Sequence, residues 1–248
     1  MISVTDLTVK IFADGADLVR VEERCAEPWI RGFTTNPTLM RSAGVADYAS
    51  FARELLALVP DKPISFEVIA DEPREIERQA RLIASWGENV YVKVPITTTR
   101  GQATADVVRA LSGSGIKVNV TAIMTLEQVE DAASWLAEGP GGYVSVFAGR
   151  IADSGRDPVP IMRDALERLT PHPHEELIWA SPREVLNVVQ ADAIGCHVIT
   201  VTDEILRRLP SLGLELDEYS LDTVRMFYRD ARAAGYTLDV ETRDRLAG

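Results

Sequence analysis

The chain has 248 residues, 46% of them hydrophobic, and a formal net charge of −12. That length suits one large core or two small ones, and acidity without a basic cluster argues against nucleic acid as the main partner. No apolar run approaches membrane-spanning length and no charged-then-apolar leader opens the chain, so a cytoplasmic protein with no membrane partner is expected. Cys25 and Cys196 lie far apart and, with three histidines, offer no metal-ligand spacing, so reduced thiols and no metal are expected.

Apolar strand-like runs alternate with helix-like runs from the start of the chain. The strand candidates are Lys10–Ala13, Ile30–Thr35, Pro63–Val68, Val90–Pro95, Lys117–Ala122, Tyr143–Ala148, Glu176–Ala180 and His197–Val201. Apolar residues recur at three- and four-residue spacing in Asp47–Val59, Pro73–Trp86, Gln102–Ser112, Leu126–Ala137, Val159–Leu169 and Glu184–Ala193. Helix starts are signalled by Asp47, by Asp71 with Pro73, by Thr125, and by Asp157 with Pro158. Eight strand candidates separated mostly by single helices predict an α/β fold, a (β/α)8 TIM barrel. A doubly wound open sheet would want a Gly-rich turn after the first strand, and Asp14-Gly15-Ala16-Asp17 is not one. No low-complexity linker interrupts the chain, so one domain over residues 1–248 is expected, with a helical tail from about 204 to 248. Within that tail, Ser220–Ala234 reads as an amphipathic helix that either caps the barrel or docks on a neighbouring subunit.

One strand carries a misfit. Lys93 is one of only four lysines and sits inside Val90-Tyr91-Val92-Lys93-Val94-Pro95. Lysine is almost never buried unpaired. Desolvation lowers a lysine's pKa, and a neutral amine is a nucleophile, so Lys93 is a candidate to form a Schiff base with a carbonyl substrate. The plainer reading is a strand-end lysine that snorkels its head to solvent.

Strand alternation sorts the neighbours of Lys93. With Lys93 inward, Tyr91 is inward and Val92 and Val94 face the helices. By the same alternation Ser65 and Glu67 share a face, as do Asn119 and Thr121, and as do Ser145 and Phe147. Asn36 follows one strand and Asp14 ends another, so polar groups converge near the carboxyl ends of several strands, where barrels of this kind place active sites. A single buried Ser or Thr is ordinary structure. Two carboxylates and an amine in one barrel mouth are harder to explain without acid–base work.

These residues resemble the transaldolases and the related fructose-6-phosphate aldolases. The likeness runs colinearly over about residues 9 to 235. It is carried by Phe12-Ala13-Asp14 with Ala16-Asp17, Thr34-Thr35-Asn36-Pro37, Glu67, Val92-Lys93-Val94-Pro95-Ile96-Thr97, Asn119-Val120-Thr121-Ala122, Val146-Phe147-Ala148-Gly149-Arg150-Ile151 and Ala180-Ser181. The resemblance implies that Lys93 forms the Schiff base with a ketose and that Asp14 exchanges the proton of the C4 hydroxyl. It implies that Glu67 and Thr121 position a water for the imine's proton transfers. Asn36 and Asn119 would orient substrate hydroxyls and the three-carbon unit, Ser145, Phe147 and Ser181 would lie in its pocket, and Arg150 would grip a sugar phosphate. The aldolases carry Gln where this chain has Glu67 and Tyr where it has Phe147, so the resemblance favours the transferase, with the lyase that releases free dihydroxyacetone as the alternative.

The chain departs from the family at Ala180-Ser181-Pro182-Arg183, where Phe usually precedes the basic residue. Arg183 aligns with that residue, but Pro182 alters the backbone leading to it. A specialised transaldolase on an unusual sugar is therefore also open. The resemblance further implies sugar phosphates as partners, carbohydrate metabolism and the pentose phosphate pathway as setting, no cofactor, and a ring-shaped homo-oligomer, pentamer or decamer, with the C-terminal helix reaching a neighbour.

Overall fold

The structure is a computed structural model that describes residues 3–238. Its strands are β1 (Lys10–Asp14), β2 (Ile30–Thr34), β3 (Ile64–Glu67), β4 (Val90–Pro95), β5 (Val118–Ile123), β6 (Gly142–Val146), β7 (Glu175–Trp179) and β8 (Val198–Thr202). All pair in parallel and in chain order, and β8 closes on β1, so the fold is a (β/α)8 barrel. Its helices are α1 (Leu18–Cys25), α2 (Pro37–Ser42), α3 (Tyr48–Leu58), α4 (Pro73–Ala84), α5 (Ala105–Gly113), α6 (Leu126–Leu136), α7 (Ala148–Asp153), α8 (Pro158–Leu169), α9 (Val185–Ala193), α10 (Asp203–Leu206) and α11 (Leu216–Ala233).

Local chemistry explains most boundaries. Asp47 caps α3 by accepting from Ser50 N–H at 2.6 Å, and Asp157 caps α8 by accepting from Val159 N–H at 3.0 Å ahead of Pro158. Thr125 and Gln128 form a reciprocal capping box on α6. The α4 start differs from expectation. Glu72 occupies the cap position, because Asp71 accepts instead from the N–H and hydroxyl of Thr99, both at 2.6 Å. The predicted Gln102–Ser112 helix begins only at Ala105, since Thr98, Gly101 and Gln102 close a hydrogen-bonded turn first. Four helices escaped the periodicity reading. α2, α7 and α10 have six, six and four residues, too few for an apolar stripe, and α1 buries only Val21.

The alternation read from sequence holds in space. Phe66, Val92, Val94, Val118, Val120, Val144 and Val146 belong to the apolar layer between sheet and helices. A second, separate apolar cluster lies inside the barrel: Phe12, Tyr143, Ile178, Ala180 and Val198, with Tyr91 and Phe147 against it. Tyr91 and Tyr143 stack with centroids 4.3 Å apart, and Phe12 meets Tyr143 edge-on at 5.7 Å. These rings pack the amino-terminal side of the interior, so the polar residues collect at the carboxyl ends of the strands.

The described residues form two units, Val4–Pro210, which holds the barrel, and a second containing α11. α11 starts at Leu216, one turn earlier than expected. It buries no residue, and Leu216, Val224, Phe227 and Tyr228 are 80%, 59%, 63% and 66% exposed. The last part of the expected tail, 239–248, lies outside the described residues. Among the described residues no helix is long and apolar enough to cross a membrane.

The shell between sheet and helices carries most of the apolar burial, which sets one expectation. Leu111 on α5 is fully buried, so Leu111→Ala should cost about 2–5 kcal/mol. Leu82→Ala, at a side chain 55% exposed, should cost within about 0.5 kcal/mol. Urea unfolding of the two variants checks both.

Candidate active site

The register of the barrel brings the chemistry together. Glu67 pairs with Lys93 across β3 and β4, Lys93 with Asn119 across β4 and β5, and Pro95 with Thr121. Partners in register on one face are near neighbours. Lys93 is 6% exposed, and its Nζ lies 3.2 Å from Glu67 Oε2 and 3.4 Å from the Thr35 carbonyl. It does not snorkel to bulk solvent; it faces a cavity of about 430 Å³ at the carboxyl ends of the strands. Glu67 is held from the other side of β3. Tyr48 donates its hydroxyl to the Glu67 carbonyl at 2.7 Å, and its ring packs with the half-buried Trp86 against the buried Phe66.

Asp14 enters the same cavity from the end of β1. Burial pushes its carboxyl above the ordinary value, only partly offset by the Lys93 charge and by a hydrogen bond from Thr34. Thr34 donates to Asp14 Oδ1 at 2.7 Å and is itself in a short hydrogen bond with Thr200. With its one proton committed to Asp14, Thr34 accepts from Thr200. A carboxylate oriented in this way and costly to ionise is suited to taking up a proton.

Thr121 lies 1% exposed in the cavity wall, and its hydroxyl has no hydrogen-bond partner among the described residues. A buried hydroxyl without a protein partner is a site for a water or a ligand oxygen. The backbone beside it is unusual. Ala122 has φ 62°, and the pairing of β5 with β6 slips between Val120 and Ile123. This bulge lets Thr121 and Ala122, consecutive in sequence, both line the cavity.

Asn36 is extended at φ −157° and caps α2, accepting from Leu39 N–H at 3.0 Å. Its amide N–H groups have no partner among the described residues and it lines the cavity. Asn119 does not line it. Fully buried, it donates to Ser65 Oγ at 3.0 Å and accepts from Ser145 Oγ at 2.7 Å. Ser145 does reach the cavity wall, so Asn119 meets the site through that hydroxyl. Phe147, Arg150, Ser181 and Arg183 complete the rim.

The rim is built on a close approach. A Cβ on Gly149 would sit 1.6 Å from the Ser181 carbonyl oxygen, so only glycine allows α7 and the β7–α9 turn to meet. Ser181 itself has φ 61°, the second non-glycine residue in the left-handed region among the described residues. Pro182 turns inward and is buried, and Arg183 folds back. Its guanidinium bonds Asp153 through Nε at 2.9 Å and Nη2 at 2.5 Å, and donates from Nη1 to the Ser181 carbonyl and hydroxyl at 3.0 and 2.9 Å. The hydrogen bonds from Arg183 hold the Asp153 carboxyl below its ordinary range, with Arg150 adding to the same field. Arg150 is exposed and has no ion pair among the described residues.

All the expected side chains except Asn119 therefore meet in one cavity. Sequence reasoning missed Thr34 and Thr200 as supports of Asp14, and Asp153 as the partner of Arg183. Thr200 was visible as a polar residue in Val198-Ile199-Thr200-Val201. The Asp153 pair had no local signal, since it joins residues thirty positions apart. Among the described residues, no group of three His, Cys, Asp or Glu side chains is placed to hold a metal ion.

The sequence matches the profile of the family described as Transaldolase/Fructose-6-phosphate aldolase over residues 11–240. It is 32% identical over 202 residues to a protein of Dehalococcoides mccartyi named "Probable transaldolase", covering 81% of this chain and 90% of that one. A protein of the same name from Thermoanaerobacter sp. is 35% identical over 202 residues, covering 81% and 89%. Among solved structures, citrate synthase SbnG superposes with a TM-score of 0.54 at 15% identity, over 89% of this chain and 95% of that one, a likeness of fold alone.

The raised pKa of Asp14 has a consequence for stability. Both states hold the proton below the ordinary carboxyl value of 3.8, so no penalty acts there. As pH rises through the higher folded-state value, the folded form must bear a costly charge and stability is lost. Asp14→Asn should therefore melt at a higher temperature than the parent at pH 7, with the gain fading as pH falls toward 3.8. Thermal melts across that range check the sign.

Proposed function

This chain belongs to the transaldolase/fructose-6-phosphate aldolase family, and from that premise we propose that it transfers a dihydroxyacetone unit from a ketose phosphate to an aldose through a Schiff base on Lys93. The observation that carries the reading is an amine 6% exposed, 3.2 Å from one carboxylate and sharing a cavity with a second. Lys93 Nζ adds to the C2 carbonyl of the donor. The carbinolamine loses water, with Glu67 and the Thr121 hydroxyl handling the water and its protons. Asp14 then takes the proton of the C4 hydroxyl as the C3–C4 bond breaks. The bonding pair moves into the iminium to form an enamine, and the shortened aldose departs. The enamine adds to the acceptor aldehyde, Asp14 returns its proton to the new alkoxide, and hydrolysis frees Lys93.

Asn36 and Ser145, with Asn119 behind Ser145, hold the hydroxyls of the three-carbon unit. Phe147 and Glu67 support transfer over release of free dihydroxyacetone, because a phenol at 147 would help water protonate the enamine. Arg150 takes the phosphate. The reaction needs no cofactor, since the protonated imine is the electron sink. We further read α11, whose apolar face is exposed, as the element that joins copies of the chain into a homo-oligomer.

Imine trapping tests the chemistry. After incubation with fructose 6-phosphate and borohydride reduction, peptide mass should locate a three-carbon adduct on Lys93, with little free dihydroxyacetone. Lys93→Ala should give no adduct and no turnover; normal turnover in that variant would overturn the reading. Steady release of dihydroxyacetone without an acceptor would point to the lyase. For assembly, a chain truncated before Ser220 should lose oligomer mass in light scattering, and an unchanged mass would remove α11 from that role.

A further inference from the structure

The phosphate end of the site holds an arrangement that the transfer chemistry does not call for. Arg183, at the position that would serve a phosphate, is already engaged. A guanidinium has five N–H groups. Two of those on Arg183 go to Asp153 and two to Ser181, which leaves one free on Nη2. Arg150 lies within electrostatic reach of the same aspartate but has no ion pair among the described residues. The three side chains together carry a net charge of +1, where the arginines alone would supply +2.

Asp153 is also the last residue of α7, a helix end whose dipole disfavours an acid. Local helix chemistry therefore does not account for an aspartate there; its partner Arg183 does. The fold brings the two together through the Gly149–Ser181 approach and the φ 61° backbone at Ser181.

We propose that Asp153 is a specificity-determining residue, holding Arg183 in a part-neutralised form so that, among the described residues, Arg150 is the rim's one guanidinium without an ion pair and the site discriminates less strongly for a phosphorylated substrate. This rests on the reading of the cavity as a sugar-phosphate site. A phosphate must compete with Asp153 for Arg183 or make do with Arg150 and a single N–H. An unphosphorylated ketose meets no such competition. The pair is half-exposed, so its effect is that of a screened surface charge.

The test is titration calorimetry with inorganic phosphate and with fructose 6-phosphate, run beside borohydride trapping of fructose on Lys93. Asp153→Asn should tighten both phosphate ligands by about three- to fivefold at low salt, the range of an exposed ion pair, and leave half-saturation by fructose unchanged. The gain should vanish in the Asp153→Asn, Arg183→Gln double variant and shrink in 1 M salt, where the screening length falls to about 3 Å. In the parent background Arg150→Gln should weaken phosphate more than Arg183→Gln. Phosphate affinity that stays the same or falls in Asp153→Asn overturns the proposal, a fall meaning that Asp153 aligns Arg183 for phosphate. Asp153→Ser serves as the second variant, with melts confirming that each is folded. Calorimetry with inorganic phosphate, which has no carbonyl, does not depend on imine formation. A protein that binds phosphate as expected but traps no adduct would leave this proposal standing and the transferase reading without support.

Discussion

The Lys93–Glu67 pair is the constraint around which the barrel is arranged. An amine 6% exposed and a carboxylate whose side chain is 17% exposed must each surrender hydration, and the gain from pairing rarely exceeds that cost. Apolar residues of similar size would serve stability as well or better. The pair persists in a position that the sheet makes rigid: β3 and β4 set Glu67 beside Lys93 in register, and Tyr48 clamps the Glu67 carbonyl from outside. Stability is supplied elsewhere, by the valine-rich layer under the helices and by the aromatic cluster inside the amino-terminal half of the barrel.

The same division explains where strain is tolerated. The two non-glycine residues with positive φ among the described residues, Ala122 and Ser181, both line the cavity. One marks the bulge that turns consecutive side chains inward, and the other the turn that folds Arg183 back on Asp153. Each costs of order 1–3 kcal/mol, which a rigid closed sheet on either side can hold in place. Gly149 performs a related service at the rim, giving up its side chain so that two backbones can touch. The cavity's irregular features thus sit on the carboxyl-terminal edge of a regular scaffold, where they do not disturb the packing beneath.

The electrostatics of the site run along the same axis. Deep in the cavity lies Lys93 between Glu67 and the reluctant carboxyl of Asp14, which Thr34 and Thr200 orient. At the rim lie Arg150, Arg183 and Asp153. A chain of net charge −12 still presents a cationic edge there, because a local guanidinium outweighs a diffuse and screened field.

Much of this was legible in the chain itself. Alternation of apolar with polar residues assigned inward and outward faces correctly in β3, β4, β6 and β5 as far as Thr121, because a regular strand has a period of two; the bulge at Ala122 broke it. Caps such as Asp47, Thr125 and Asp157 act within one helical turn and could be read directly. The Lys93 misfit pointed to the site for the same reason: a buried charge needs a partner wherever it lies. What sequence could not supply was contact between distant residues. Asp71 forsook its helix for Thr99, Asn119 retired behind Ser145, Thr200 came to support Asp14 through Thr34, and Asp153 captured Arg183. Each of those choices depends on barrel closure and strand register, which place residues from separate elements within hydrogen-bond reach. Local periodicity determined the elements and their faces; only the closed sheet decided which polar groups would meet.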